Sequence, residues 1–461
     1  MELYPYQIEG VAALLSARRV RRGLLLADAP GLGKSAQAIE LSNHLAPPSI
    51  LVVCPASLLI NWQREFELWD TWGISLSPIT AKGVPDFPYL VCSYDRLIRT
   101  DLSERTPDVL IVDESHYAKT RTSERSKTIL ALCGKVREAG GTVVFMSGTP
   151  IENSPIELWH QMVCLGWLPA KSYMEYAKRY CRYHQRTIYI KGRPRHVIDV
   201  SGADNLPELK SKLAKFGMVR RRKEDVLKDL PPKTYQIIEL PRTKQWRSTL
   251  LQSALGDPQV RGQVAYFKNL AAVASKTGDR KRLVESIAEA RKIDGVEKVP
   301  QVISFVEDIL ESEKKVVVFC HHREVHEALT NGLRKYGAVG IHGGTTNRQQ
   351  AVDAFQNDPC VRVFVGQIQA AGTGITLTAA SHVVFAEISW VPGQLEQAAD
   401  RCHRIGQKEN VLVQYLVFED STDGTVASAL IRKQKTLSEM FGANADAYGD
   451  PVAIDPIEVF G

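Results

Sequence analysis

The sequence predicts an α/β chain of two lobes, each built on a parallel sheet with helices on both faces. Three observations predict this. The chain has 461 residues, more than one hydrophobic core ordinarily serves. Short apolar runs of strand length alternate with stretches of helical spacing, the pattern of a doubly wound sheet. The alternation stops near residue 151 and resumes after residue 298, so it occurs twice.

The first lobe is expected over residues 1–235. Its strands are Gly23 to Ala27, Ile50 to Val53, Tyr89 to Ser93, Val109 to Val112 and Val143 to Ser147. Between them lie helical spacings such as Leu58, Leu59, Trp62, Phe66 and Trp69. Residues 151–230 interrupt the pattern and read as a polar, basic and mostly helical insertion, and Pro231-Pro232 marks a hinge. Residues 236–298 read as a helical linker. The second lobe is expected over 299–440, with strands Lys315 to Cys320, Val361 to Val365, Val383 to Ala386 and Val411 to Val417. Residues 441–461 read as a loosely held tail.

Hydrophobic residues make up 44% and charged residues 24% of the chain, the balance of a soluble globular protein. The longest apolar runs span only a strand, so no membrane partner is expected. The eight cysteines form no C-x-x-C pair, which speaks against a zinc or disulfide framework and fits a reducing, cytoplasmic setting. The N-terminus lacks the residue order of a secretion signal. A net charge of +6 permits a polyanion partner without demanding one.

Ala27-Asp28-Ala29-Pro30-Gly31-Leu32-Gly33-Lys34-Ser35 follows a strand and opens a helix that Pro47-Pro48 stops. A helix N-terminus presents free N–H groups and partial positive charge to phosphate oxygens. Gly31 and Gly33 let the backbone approach them, Lys34 supplies a point charge for the β and γ phosphates, and Ser35 suits Mg²⁺. Asp28 stands where the usual first glycine would be, so alone the run also reads as an ordinary Gly-rich turn. Asp113-Glu114-Ser115-His116 ends a buried strand, on the side where ligands bind in open α/β sheets. Asp113 is placed for Mg²⁺ and Glu114 to deprotonate an attacking water, although an acidic pair at a helix start is common. Met146-Ser147-Gly148-Thr149-Pro150 ends the next strand with hydroxyls. Gln7 offers an amide donor and acceptor for an adenine edge, or is a surface residue. In the second half Arg401 and Arg404, three apart, share a face if helical. They suit either a clamp on a transferring phosphoryl group or a solvated basic face, and the spacing alone favours the latter.

Taken in order, these motifs resemble the superfamily two helicase-like ATPases, specifically the SWI/SNF family. The resemblance also rests on Leu51 to Leu59, Ser93-Tyr94-Asp95, Ser147 to Asn153, Arg220 to Leu227 with Leu230-Pro231-Pro232-Lys233, and His403-Arg404-Ile405-Gly406-Gln407. Tyr117-Ala118-Lys119, Tyr180-Cys181, Phe385-Ala386-Glu387 and Trp390 to Gly393 place it nearest the annealing-helicase (HepA-related) branch. Ala29-Pro30 depart from the family's acidic residue and methionine, Gly343-Gly344 from its Asp-Gly, and Gln367 to Thr373 match its fifth motif loosely. The resemblance implies two RecA-like lobes that use ATP and Mg²⁺. Lys34, Asp113 and Glu114 would act with Arg401 and Arg404 as arginine fingers, and Gly374 and Gln397 would join Gln7, Gly31, Gly33 and Ser35 around the nucleotide.

It also implies a DNA track through Ser57, Ser93 and Tyr94, and in the second lobe through His342 to Thr345 and Gly372 to Thr376, including Gly344, Thr345 and Thr373. Such small polar groups grip phosphates without reading bases. Between Tyr176 and Ile198 there is no acidic residue, while Arg179, Arg182, Arg186, Lys191, Arg193 and Arg195 interleave with Tyr180, Tyr183 and Tyr189. That run suits phosphate contact and base stacking or is a solvated insertion. Arg18 to Arg22 reads better as a helix end. The expected function is a monomeric DNA-dependent ATPase translocating on double-stranded or branched DNA, remodelling forks or annealing strands. The alternatives are a strand-separating helicase and a nucleotide-gated scaffold. No large wedge hairpin fits between Leu377 and Gln397, and the set Lys34, Glu114, Arg401 and Arg404 opposes a scaffold without turnover.

Overall fold

The computed structural model describes residues 2–19, 23–102, 104–148, 150–151, 154–190, 193–200, 202–241, 280–371, 374–389, 391–419, 421 and 423–424. The chain divides into two compact units that meet in sequence at Lys228 and Asp229. The strands of the first unit are β1 (Leu24–Leu26), β2 (Ile50–Cys54), β3 (Ser77–Pro78), β4 (Tyr89–Ser93), β5 (Val109–Asp113), β6 (Thr142–Met146), β7 (His184–Ile190), β8 (Arg193–Asp199) and β9 (Met218–Val219). Those of the second are β10 (Lys233–Leu240), β11 (Val316–Cys320), β12 (Val339–Ile341), β13 (Val363–Gln367), β14 (His382–Phe385) and β15 (Val411–Phe418).

The first unit carries a parallel sheet in the order β3-β4-β2-β5-β6-β1-β9. Alternate residues of its strands feed two separate cores. Leu25, Val53, Cys92, Leu110, Val112 and Phe145 face one layer of helices. Leu24, Leu26, Val52, Val91, Ile111 and Val144 face the other, with Trp62 and Phe66 of the helix Leu59–Trp69. Burial on both faces is why these strands read as continuous apolar runs. The second unit repeats the plan with a parallel sheet ordered β10-β15-β14-β11-β13-β12. There Val317, Phe319, Phe364 and Phe385 line one core and Val316, Val318, Val363 and Val365 the other.

The structure departs from expectation in three places. Residues 151–230 are not mostly helical throughout: β7 and β8 form an antiparallel hairpin in full register from His184–Asp199 to Ile190–Arg193. Lys233–Leu240, placed partly in the first lobe and partly in a helical linker, is an edge strand of the second sheet, paired with β15 over eight residues. The linker's end, together with the second lobe's start, is one helix, Arg280–Ser312. Its Arg291, Asp294 and Lys298 are buried, so the helix is part of the second unit's body. Residues 242–279 and the tail 441–461 lie outside the described residues.

Candidate functional site

In the first sheet β5, β6 and β1 are neighbours, so the segments leaving their C-terminal ends lie side by side. These are the glycine-rich loop after β1, Asp113-Glu114 at the end of β5, and Ser147-Gly148 after β6. The loop ends in the helix Lys34–Leu45, with Gly33 at its N-cap. Gly31 and Gly33 take φ of 86° and 72°. The positive φ favours glycine at Gly33, and a Cβ there would stand 2.3 Å from Gln7 Nε2 and displace that amide. Lys34 Nζ donates to the carbonyl oxygen of Asp28 at 2.7 Å. Ser35 sits half-buried in the first turn of that helix.

Gln7 is buried and its amide braces the loop. Nε2 donates to Leu32 O at 3.1 Å, and Oε1 accepts from Tyr4 N at 2.9 Å. The Tyr6 hydroxyl donates to the same Leu32 carbonyl.

Asp28 resolves the departure at the loop's first position. It is fully buried. Oδ1 accepts from Arg221 N at 2.9 Å, and Oδ2 accepts from Arg221 Nη1 and from Gln37 Nε2, each at 3.1 Å. Its neighbour Arg220 donates to Ala27 O and Gly148 O. The carboxylate therefore fastens the loop to the helix behind it and to the segment that leaves β9. Pro30 packs on Gly148, where a Cβ would come within 2.7 Å of the ring. Asp28→Ala strips three donors of their acceptor at a buried point. We expect a loss of about 2–3 kcal/mol, the cost of orphaning hydrogen bonds to a charged group, measured by denaturant unfolding of the full chain.

Asp113 is buried, with Oδ2 accepting from Trp62 Nε1 at 2.9 Å and Oδ1 from Glu114 N at 2.9 Å. Burial, and then the Glu114 charge, push its carboxyl up to about 7, against the lowering effects of Trp62 and Lys34. Lys34 therefore lies within electrostatic reach of Asp113, as a shared phosphate-and-cation site needs. Glu114 has φ 50° and ψ 53°, a left-handed conformation that costs a non-glycine residue about 1–3 kcal/mol and clusters at functional sites. Its Oε2 lies 3.3 Å from His116 Nδ1, which is also 3.1 Å from Ser147 Oγ. Ser115 Oγ donates to Gln161, whose Nε2 donates to Pro150 O at 2.8 Å. The acidic turn and the strand end after β6 are thus one hydrogen-bonded unit. Thr149 lies outside the described residues.

The two arginines of the second unit do not share a helix face. The helix Pro392–Ala399 ends before them, and they occupy the turns that follow. Arg401 is buried, with Nε donating to Gln397 O at 3.2 Å. Arg404 Nη1 donates to Ile375 O at 3.0 Å and to Thr376 Oγ1 at 2.7 Å. Both pin the segment after Gly374, which has φ 73°; Leu377 N donates to Arg401 O at 2.9 Å. Lys233 of β10 anchors the same turn through Glu396 at 2.7 Å and Asp400 at 2.9 Å.

The expected DNA contacts fare unevenly. Ser57 lies on a short 3-10 turn, Ala56–Leu58, and is half-buried. Ser93 caps the short helix Tyr94–Leu97 by accepting from Arg96 N. Tyr94 is corrected: it is buried, and its hydroxyl donates to Asp113 O at 2.8 Å with Glu114 O at 3.2 Å. It braces the acidic turn rather than offering itself to a phosphate. Arg179 is exposed but paired, with Nε donating to Glu208 at 3.0 Å. Arg179, then Tyr180 and Lys212, hold that carboxyl down at about 2. Arg182 is exposed with φ 42°. Arg186 lies on β7, its side chain outside the described residues. Gly344 N donates to His342 Nδ1, and Thr345 Oγ1 accepts from His342 N, which closes that loop into a compact turn. Thr373 lies outside the described residues.

The sequence reading missed Trp62, Gln37, Gln161 and Arg221. Trp62 had looked like simple core at helical spacing. Gln37 and Gln161 are buried and Arg221 is half-buried, and the partner each finds is distant in sequence or not marked by any local pattern.

Comparison with known proteins points to one family. A SNF2-related domain matches residues 6–296, and a helicase conserved C-terminal domain matches residues 298–406. The mouse (Mus musculus) DNA annealing helicase and endonuclease ZRANB3 is 34% identical over 453 residues, covering 94% of this chain and 40% of that protein. The Caenorhabditis elegans homolog of SWI/SNF-related matrix-associated actin-dependent regulator of chromatin subfamily A-like protein 1 is 32% identical over 95% of this chain and 62% of that protein. The chain thus spans about two fifths to three fifths of the length of these relatives. The solved Sulfolobus solfataricus SWI2/SNF2 ATPase core in complex with dsDNA is 22% identical over 98% of this chain and 94% of its own, with a TM-score of 0.44. With one family domain spanning well over half of the sequence and a helicase domain directly after it, the chain belongs to the SNF2-related family of helicase-like ATPases.

Proposed function

We propose that the chain uses ATP hydrolysis to translocate on double-stranded or branched DNA, remodelling forks or annealing strands. The observation that carries this reading is the convergence of the phosphate loop, Asp113-Glu114 and Ser147-Gly148 at adjacent strand ends. Lys34 and the loop amides take the phosphates, and Glu114 orients and deprotonates the attacking water. Ser35 and Asp113 would hold Mg²⁺: burial and Glu114 disfavour the ionised Asp113 carboxylate, and a bound cation would favour that form. That ion, when bound, offsets charge on the β and γ phosphates. Arg401 and Arg404 are assigned to the charge that develops on the transferred phosphoryl group.

Two features support translocation over strand separation. Between Leu377 and Gln397 the described residues hold only β14, a connecting turn and the start of the helix Pro392–Ala399, which leaves no hairpin to act as a wedge there. The name of one relative, the DNA annealing helicase and endonuclease ZRANB3, speaks of annealing. Duplex contact draws on small polar groups such as Ser57, Ser93, Gly344 and Thr345 and on the Lys- and Arg-rich sequence of the β7–β8 hairpin, with little sequence preference expected.

The test is ATP hydrolysis by the full chain with duplex, forked and single-stranded DNA at several salt concentrations. Duplex and forked DNA should stimulate turnover and lose effect as salt rises. Equal stimulation by single strands would remove the duplex assignment, and no stimulation by any DNA would sink the reading.

A further inference from the structure

The acidic turn is braced by a residue that the chemistry of hydrolysis does not itself require. Tyr94 is 2% exposed. Its hydroxyl donates to Asp113 O and lies 3.2 Å from Glu114 O. The same Glu114 carbonyl accepts from Tyr117 N at 2.9 Å, and the Glu114 N–H is held by Asp113 Oδ1. Three hydrogen bonds therefore fix the peptide groups on both sides of a residue in a left-handed conformation. Such a conformation persists only where its surroundings over-determine it, and the Tyr94 hydroxyl braces its main chain from outside the turn.

That brace opens onto the surface. The Tyr94 ring stacks on the Tyr117 ring, with centroids 5.7 Å apart and planes 18° from parallel. Tyr117 is 38% exposed. The Arg125 guanidinium lies 5.6 Å from both rings and bridges to Asp95 at 2.6 Å. Asp95 follows Tyr94 directly and its side chain is 72% exposed. An ion pair with so open a partner contributes little, so a phosphate with equal charge and better geometry can take Arg125 from Asp95 at small cost. Ser93, on the other side of Tyr94, is among the residues assigned to the DNA track. One three-residue segment, Ser93 to Asp95, thus carries a serine assigned to the DNA track, an exchangeable arginine partner and the hydroxyl that braces the turn of the hydrolytic carboxylate.

We propose that Tyr94 is a positioning residue linking a DNA phosphate at Ser93 and Arg125 to the Asp113-Glu114 turn, through its hydroxyl and the Tyr94–Tyr117–Arg125 stack. The proposal rests on the assignment of Glu114 as the hydrolytic base and on DNA as the stimulating ligand. It has two arrangements, Arg125 on Asp95 and Arg125 on a phosphate, and the bound one steadies the turn.

The experiment compares the wild-type chain with Tyr94→Phe and Arg125→Gln in ATP hydrolysis with and without saturating duplex. The ATP KM and the thermal midpoint are measured alongside. Tyr94→Phe keeps the ring and removes one hydrogen bond. It should cut the stimulation ratio about tenfold, the scale of one such bond acting on the barrier, with the ATP KM nearly unchanged. Arg125→Gln should lower the ratio in the same direction. A wild-type ratio in Tyr94→Phe overturns the proposal. So does an equal fall in basal and stimulated rates with a lower midpoint, which would make Tyr94 merely structural. If Tyr94→Phe does not fold, Arg125→Gln decides, because Arg125 is only half-buried and lies outside the apolar core, and a retained ratio sinks the link. A wild-type chain without DNA stimulation would instead refute the underlying assignment.

Discussion

Glu114→Gln should abolish steady-state ATP hydrolysis while leaving nucleotide binding intact. The substitution keeps the length and shape of the side chain and removes the charge that accepts a proton from water. General-base contributions run to about 10²–10⁴-fold, or about 3–5 kcal/mol of barrier. The phosphate loop is held by contacts that do not involve this side chain: Asp28 to Arg221 and Gln37, and Gln7 and Tyr6 to Leu32. The ATP dissociation constant, read by fluorescence of a labelled nucleotide, should therefore stay within a few-fold of wild type. The backbone braces on the turn use main-chain atoms of residue 114, so the left-handed conformation should survive. Retained turnover would remove Glu114 from the base role, and lost nucleotide binding would mean that the carboxylate holds the loop.

Why Glu114 was legible and Asp28 was not is a matter of where the partners lie. β1, β2, β4, β5 and β6 could be read because both faces of the sheet are covered, which leaves each strand an unbroken apolar run. An acidic pair at the end of such a run falls on the ligand side of the sheet by topology alone. Asp28 offered no such shortcut. Its anchors are Gln37, nine residues on, and Arg221, 193 residues on, and nothing local joins them. Tyr94 was misread for a related reason. Adjacency to Ser93 placed it on the DNA track, but sequence adjacency does not tell an inward ring from an outward one. Arg179 looked like part of an unopposed basic run, yet its carboxylate is Glu208, 29 residues away. Arg401 and Arg404 were given a helical face because the helix before them was extended past Ala399. That helix ends at Ala399, so the two residues lie in the turns beyond it. Strand β10 escaped because it is an edge strand with mostly exposed or half-buried positions, so its apolar signal is weak.

Asp423→Ala should be among the most destabilising single changes in the second unit. Lys298, in the helix Arg280–Ser312, has a side chain only 1% exposed, and Asp423 is 2% exposed. Nζ bridges to Asp423 Oδ2 at 2.8 Å and donates to Leu416 O at 3.0 Å. Arg291, one helical face along, bridges to Asp423 at 3.4 Å and also donates to Ile388 O. One carboxylate thus offsets two buried cations. Removing it takes a shared counter-charge from both, which costs about 3–5 kcal/mol, or about 6–20 °C in the melting temperature of a unit this size. The double variant Lys298→Met with Asp423→Leu should recover part of that loss, since it removes one ion pair with its desolvation cost while Arg291 stays buried and keeps its bond to Ile388 O.

The same pair sets a pH signature. Burial alone would raise the Asp423 carboxyl, but Lys298 and Arg291 hold it below its ordinary value of 3.8. A depressed folded-state value means that the contribution is present above about 3.8 and is lost as pH falls through the still lower folded value. Acid unfolding below pH about 3.8 should therefore be shallower in the double variant than in wild type. Denaturant melts from pH 2 to pH 7 would read this directly. An unchanged acid limb, or an Asp423→Ala chain as stable as wild type, would mean that the helix Arg280–Ser312 is held to the second unit by its apolar contacts at Val299, Val302 and Val306 and not by its buried charges.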